Sequence, residues 1–175
     1  MRRLTIIVSA LAALAVTTTG TLRTVAADDP PPIAVELITP RSVFPDSVSA
    51  TIKVKPDATD VLRMTDPSRV VTAKITVQPG AQFPWHTHPG PVIVNVAQGA
   101  LTYVPAADCT HHAYVAGEAF IDPGRGFVHT AFNPGSVVTV VYATFFEAPA
   151  AGPLTITEGV VAPADCDVQV GQHAH

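Results

Sequence analysis

Three histidines carry the strongest chemical signal in the chain. His86 and His88 stand in the segment Gly80-Ala81-Gln82-Phe83-Pro84-Trp85-His86-Thr87-His88-Pro89-Gly90. On an extended backbone, side chains two positions apart project to the same side about 7 Å apart, close enough for two imidazoles to share one ion. His129 closes the segment Gly117-Glu118-Ala119-Phe120-Ile121-Asp122-Pro123-Gly124-Arg125-Gly126-Phe127-Val128-His129, where a Pro/Gly turn leads into a new β-type run. Neutral imidazole suits Fe, Mn, Zn, Ni and Cu alike, so the set predicts one divalent transition metal without distinguishing which. Gln82 shares strand parity with His86, and Tyr103 would point inward from the next strand. Each is a candidate to touch the ion or its ligand, against the alternative of ordinary packing. Asn133 reads as a strand-end hydrogen bonder and Asn95 falls on the opposite face of its strand. Glu118 and Asp122 read as exposed, so no general base near the metal is nominated.

The elements that hold these residues read as strands. Val, Ile and Thr dominate in residues 33–39, 49–54, 70–77, 91–96, 100–104, 118–122, 128–133 and 137–146. Strong helical periodicity is absent beyond the N-terminal segment. The 17 prolines and 11 glycines punctuate these runs at nearly regular intervals, which suits an all-β sandwich or barrel and argues against alternating β and α units. No repeat, low-complexity tract or interdomain linker interrupts residues 33–165, so one domain over 33–175 is expected.

The two histidine segments together resemble the paired signature motifs of the cupin superfamily. The first motif of that family runs glycine, five residues, His-x-His, three or four residues, glutamate, six residues, glycine. Gly80, His86, His88 and Gly99 match with every spacing kept, but Val92 stands where the glutamate is expected. The second motif is met by Gly117, Pro123, Gly126, His129 and Asn133, with one extra residue between Pro123 and Gly126. The resemblance covers residues 68–147 and implies a single cupin-type jelly-roll β-barrel with His86, His88 and His129 as metal ligands. Val92 cannot ligate. Strand alternation places it with Val94 and Val96 on the histidine face, so an apolar wall is expected where the family has a carboxylate. Three neutral imidazoles then leave coordination positions for water or substrate and the ion's charge uncompensated by protein, which would favour an anionic or chelating small molecule. Homodimerisation is a further implication of the resemblance that no sequence feature decides.

The N-terminus adds a destination. Arg2 and Arg3, the apolar run Leu4–Val16 and the small residues Val25-Ala26-Ala27 read as a signal peptide over residues 1–27, followed by a flexible leader over 28–32. Ser9, Thr17-Thr18-Thr19-Gly20 and Arg23 interrupt the stretch short of a membrane span. Cleavage removes three arginines, leaving seven basic against fourteen acidic residues, 7 − 14 = −7 with neutral histidines. Nucleic acid and anionic membrane surfaces are therefore poor partners, and a secreted or periplasmic location is expected. In an oxidising compartment Cys109 and Cys166, 57 positions apart, are expected to pair. Closing a loop of that size stabilises by about 4 kcal/mol in the chain-entropy model.

His111 and His112 read as a solvated loop near the disulfide, and His173 and His175 as a terminal tail able to bind Cu or Ni. Gly-x-Ser-x-Gly, phosphate-loop and Cys-x-x-Cys motifs are absent from the sequence. Two functions lead at this point, ahead of a weaker third in which the barrel is a purely structural or partner-binding domain. One is a metal-dependent dioxygenase or oxidase acting on a small chelating or anionic substrate. The other is a non-catalytic module that binds or scavenges a metal complex or small anion.

Overall fold

The computed structural model describes residues 29–54, 60–64 and 67–168. These form eleven strands: β1 (Ile33–Leu37), β2 (Ser42–Val43), β3 (Ala50–Val54), β4 (Asp60–Met64), β5 (Arg69–Val77), β6 (Val92–Gln98), β7 (Ala100–Pro105), β8 (His112–Val115), β9 (Ala119–Asp122), β10 (His129–Phe132) and β11 (Thr139–Phe145). No helix occurs among the described residues, and none there is long and apolar enough to cross a membrane. Strands pair β1-β5-β11-β6-β9 in the larger sheet, with β2 also on β5; β10-β7-β8 form a second sheet and β3-β4 a separate pair.

Period-two alternation explains how the sheets meet. In β5, β6 and β11 every second residue is buried, so Val71, Ala73, Ile75 and Val77 share one face with Val92, Val94, Val96, Val141, Ala143 and Phe145. That face packs on Leu101 and Tyr103 of β7 and Ala131 of β10 in one continuous cluster. Burying each large aliphatic or aromatic side chain stabilises by about 1.5–3 kcal/mol, which makes this inter-sheet layer the main cohesive element. The result is an all-β antiparallel jelly roll.

All eight strand runs read from the sequence appear. Three strands were not anticipated: β2, β4 and β8. β8 escapes notice because its burial shows no clean alternation: only Tyr114 is half-buried, stacked on Phe120 with ring centroids 4.4 Å apart. His112 thus opens a strand rather than lying in a loop, although it and His111 are exposed as expected. The leader is tied at its end, where Pro32 O accepts Gln78 N at 2.8 Å. Cys109 and Cys166 stand at disulfide distance, with Cα atoms 5.3 Å apart. The residues read as a signal peptide and the His173/His175 tail lie outside the described residues.

The segment that bears the first two histidines runs along the free side of β10. Phe83 N donates to Ala131 O at 2.9 Å, Gln82 bridges Phe132, and His86 bridges His129. Asn133 fixes the far end of this seam. Fully buried, its Nδ2 donates to Val77 O at 3.1 Å and Val137 O at 2.8 Å, and its Oδ1 accepts Gly135 N at 2.9 Å.

Candidate metal centre

His86 and His129 form a hydrogen-bonded antiparallel pair: each backbone N–H donates to the other's carbonyl at 2.9 Å. That pairing sets the two imidazoles side by side, with ring centroids 4.2 Å apart. Thr87 turns to a different neighbour, exchanging two backbone hydrogen bonds with Ile156. His88, two residues from His86, returns to the histidine side, its ring 4.9 Å from His86 and 5.2 Å from His129. All three are buried, and one donor atom from each lies within 4.8 Å of the other two.

Hydrogen bonding fixes which nitrogen faces the pocket. His86 Nδ1 is 2.7 Å from Pro84 O, and His88 Nδ1 is 2.7 Å from Leu154 O. A carbonyl can only accept, so both Nδ1 atoms carry the proton and both Nε2 atoms keep their lone pair. His129 Nδ1 lies 2.9 Å from Asp122 Oδ2 and 3.3 Å from Phe127 O, which assigns the same tautomer. Burial, reinforced by the neighbouring His129 and His88 rings, pushes His86 down to about 3. Burial also lowers His88. Imidazoles held from behind at Nδ1 by carbonyl or carboxylate acceptors, with Nε2 turned the other way, are the donor set a divalent transition metal requires. The three histidines could therefore hold one such ion.

The expectation that Asp122 is exposed is wrong. Its side chain is 1 % exposed. Besides its contact to His129, Oδ2 accepts the Tyr103 hydroxyl at 2.7 Å, and Oδ1 accepts Gly124 N at 2.7 Å. Burial alone would raise this carboxyl, but the hydrogen bond and charge of His129, helped by His88 and Tyr103, outweigh it and hold the group below the ordinary carboxylate range. Burial and then the Asp122 charge push the Tyr103 phenol far up, so it remains a donor. Gly124 permits this arrangement because its φ is +61° and any Cβ there would overlap Gly90 O.

Val92 and Asp122 are register partners across β6 and β9. The position where the motif lacks its glutamate thus has a carboxylate opposite it, on the neighbouring strand. Strand parity held the clue: Asp122 lies two residues from buried Phe120 in β9 and must share its face. The orienting carbonyls of Pro84, Phe127 and Leu154 left no such clue, since any residue type supplies one.

Val92 and Tyr103 line the pocket with the three histidines and Asp122. Gln82 does not. It is exposed, and its amide donates to Thr130 Oγ1 at 3.4 Å. The parity argument fails for it because Pro84 and Trp85 lie outside any strand, so residues 82 and 86 do not belong to one extended run. Glu118 is exposed as expected, with Oε2 accepting Val115 N at 2.9 Å. Apart from Thr155 the remaining walls are apolar, and the pocket opens to solvent.

No family model and no curated protein sequence matches the chain. Similar solved structures include an oxalate oxidase, 26% identical over 50% of this chain and 45% of that one, with a TM-score of 0.43. An RmlC-like cupin from Shewanella frigidimarina is 21% identical over 46% of this chain and 68% of that one, with a TM-score of 0.40. The cupin-2 domain of a transcriptional regulator from Enterobacter cloacae is 14% identical over 68% of this chain and 99% of that one, with a TM-score of 0.44. The chain spans less than half of the oxalate oxidase it matches. Two of these three structures are cupins by description, and the chain is similar to them over 46% and 68% of its length.

Proposed function

We propose that this chain is an exported, metal-binding cupin-type protein. His86, His88 and His129 hold one divalent transition metal, and the pocket beside them takes a small molecule at the coordination positions the histidines leave open. The observation that carries this reading is the set of three buried imidazoles, each engaged at Nδ1 by a carbonyl or carboxylate and each with a donor atom within 4.8 Å of the other two. When bound, the ion supplies Lewis acidity and, if Fe, Mn, Ni or Cu, redox chemistry of the dioxygenase or oxidase kind. The chain's own residues orient the donors, exclude bulk water with apolar walls and keep one buried carboxylate beside His129.

A second reading, a non-catalytic binding or scavenging module, is favoured by one observation. Asp122 is the only carboxylate lining the pocket among the described residues, and both its oxygens are already occupied by donors. No free base therefore stands ready to move a substrate proton. Metal analysis of the protein cut after Ala27, beside His86→Ala/His88→Ala, tests the shared claim: about one equivalent in the first and a loss in the second is expected, and equal content would refute it. Dioxygen uptake with catechol-type, diketone and oxalate-type compounds then separates enzyme from binding module.

A further inference from the structure

The pocket's walls and its charge inventory restrict what can occupy it, an inference that rests on the metal-site reading. Ile75, Val94, Leu101, Phe120, Val141 and Phe145 are among the apolar residues that line it. The polar groups that line it are the three histidines, Asp122, Tyr103 and Thr155. No lysine or arginine lines the pocket among the described residues. A ligand's negative charge can therefore be balanced only by the ion.

Part of that ion's charge is already answered. Every close partner of Asp122 is a donor: the Tyr103 hydroxyl and His129 Nδ1–H on Oδ2, and Gly124 N–H on Oδ1. An environment made only of donors is that of a carboxylate anion. A divalent ion on three neutral imidazoles beside this anion leaves a formal net charge of +1 rather than +2. A monoanionic ligand brings the buried site to neutrality, whereas a dianion leaves it at −1 among aliphatic walls, where uncompensated charge is costly.

We propose that the site selects a compact bidentate chelator that binds as a monoanion and carries an apolar body, and discriminates against small dianions such as oxalate. The donor head occupies the ion's open positions and the apolar body lies against Val94, Phe120 and Phe145. Charge count sets the first preference and wall composition the second.

The test uses the protein cut after Ala27 and loaded with Co²⁺, followed by its visible absorption during titration with benzohydroxamate, acetohydroxamate and oxalate. His86→Ala/His88→Ala serves as the background for Co²⁺ held by other histidines. Each affinity is divided by the same ligand's affinity for Co²⁺ in protein-free buffer, so that intrinsic chelating strength cancels. Benzohydroxamate should exceed oxalate on this normalised scale by about tenfold or more, a difference of about 1.4 kcal/mol, and should also exceed acetohydroxamate, which lacks the apolar body. At saturating Co²⁺, Asp122→Asn should move the benzohydroxamate-to-oxalate ratio back toward oxalate. Oxalate equal to or above benzohydroxamate in a protein that holds Co²⁺ would overturn this inference alone. Failure to hold Co²⁺ above the background would overturn the metal site and this inference together.

Discussion

Replacing Asp122 by Asn isolates the work of one buried carboxylate. Asn keeps an oxygen that can accept from His129 Nδ1 and the Tyr103 hydroxyl where Oδ2 now stands, but it carries no charge, and its amide group then faces Gly124 N, which now donates to Oδ1 at 2.7 Å. His129 loses the anion 2.9 Å behind it, and with it the basicity that this contact lends to Nε2. Loss of such an outer partner lowers metal affinity by about 10–100-fold, which corresponds to about 1.4–2.8 kcal/mol. Tyr103→Phe is the control for stability: it removes one hydrogen bond to a charged acceptor, worth about 1.5–3 kcal/mol, while leaving the Asp122–His129 contact in place. The assay is competition for Zn²⁺ against a chromophoric chelator, run beside urea unfolding of the metal-free proteins. Asp122→Asn should lose affinity well beyond what its stability change accounts for, and Tyr103→Phe should lose stability while holding metal close to wild type. Unchanged Zn²⁺ affinity in a folded Asp122→Asn would refute the account of Asp122 as the partner that orients and polarises His129.

Three further outcomes are expected. Asn133→Ala removes the partner of Val77 O in the interior and of Val137 O and Gly135 N at partly buried positions, and should cost about 2–4 kcal/mol in urea unfolding; a change near zero would mean that the buried amide is not a strut. Cys109→Ser/Cys166→Ser should lower stability by about 2–4 kcal/mol, read as a lower thermal midpoint under non-reducing conditions, and an unchanged midpoint would contradict it. Metal-free protein should lose stability on acidification: His86 titrates near 6.5 when unfolded but at about 3 when folded, so its contribution is complete above pH 6.5 and disappears as pH falls toward 3. Chemical denaturation at pH 7.5 and 5 checks the sign, and a wild-type loss between the two no larger than that of His86→Ala would contradict it.

What the sequence disclosed follows from where each kind of information resides. His86, His88 and His129 were legible because residue type and local spacing carry metal-ligand chemistry directly. The strand runs were legible wherever alternation with a buried face was strong, as in β5, β6 and β11. β8 lacked that alternation and passed for a loop. Asp122 was misjudged because a carboxylate before a Pro/Gly turn looks solvated until β9 is known to pair with β6 and Tyr103 to supply a donor. Gln82 was overvalued because strand parity was carried through Pro84. Leu154 could not be anticipated at all, since its contribution is a backbone carbonyl from a residue 66 positions beyond His88.

That last contact makes the centre depend on a stretch that supplies none of its three histidines. His88 takes its tautomer from the Leu154 carbonyl, and Thr87 is held in place by Ile156 from the same stretch. Both partners follow the last of the three histidines in the chain, and both act through backbone atoms. A protein lacking this stretch would carry all three imidazoles and still lack the acceptor that holds His88 Nδ1.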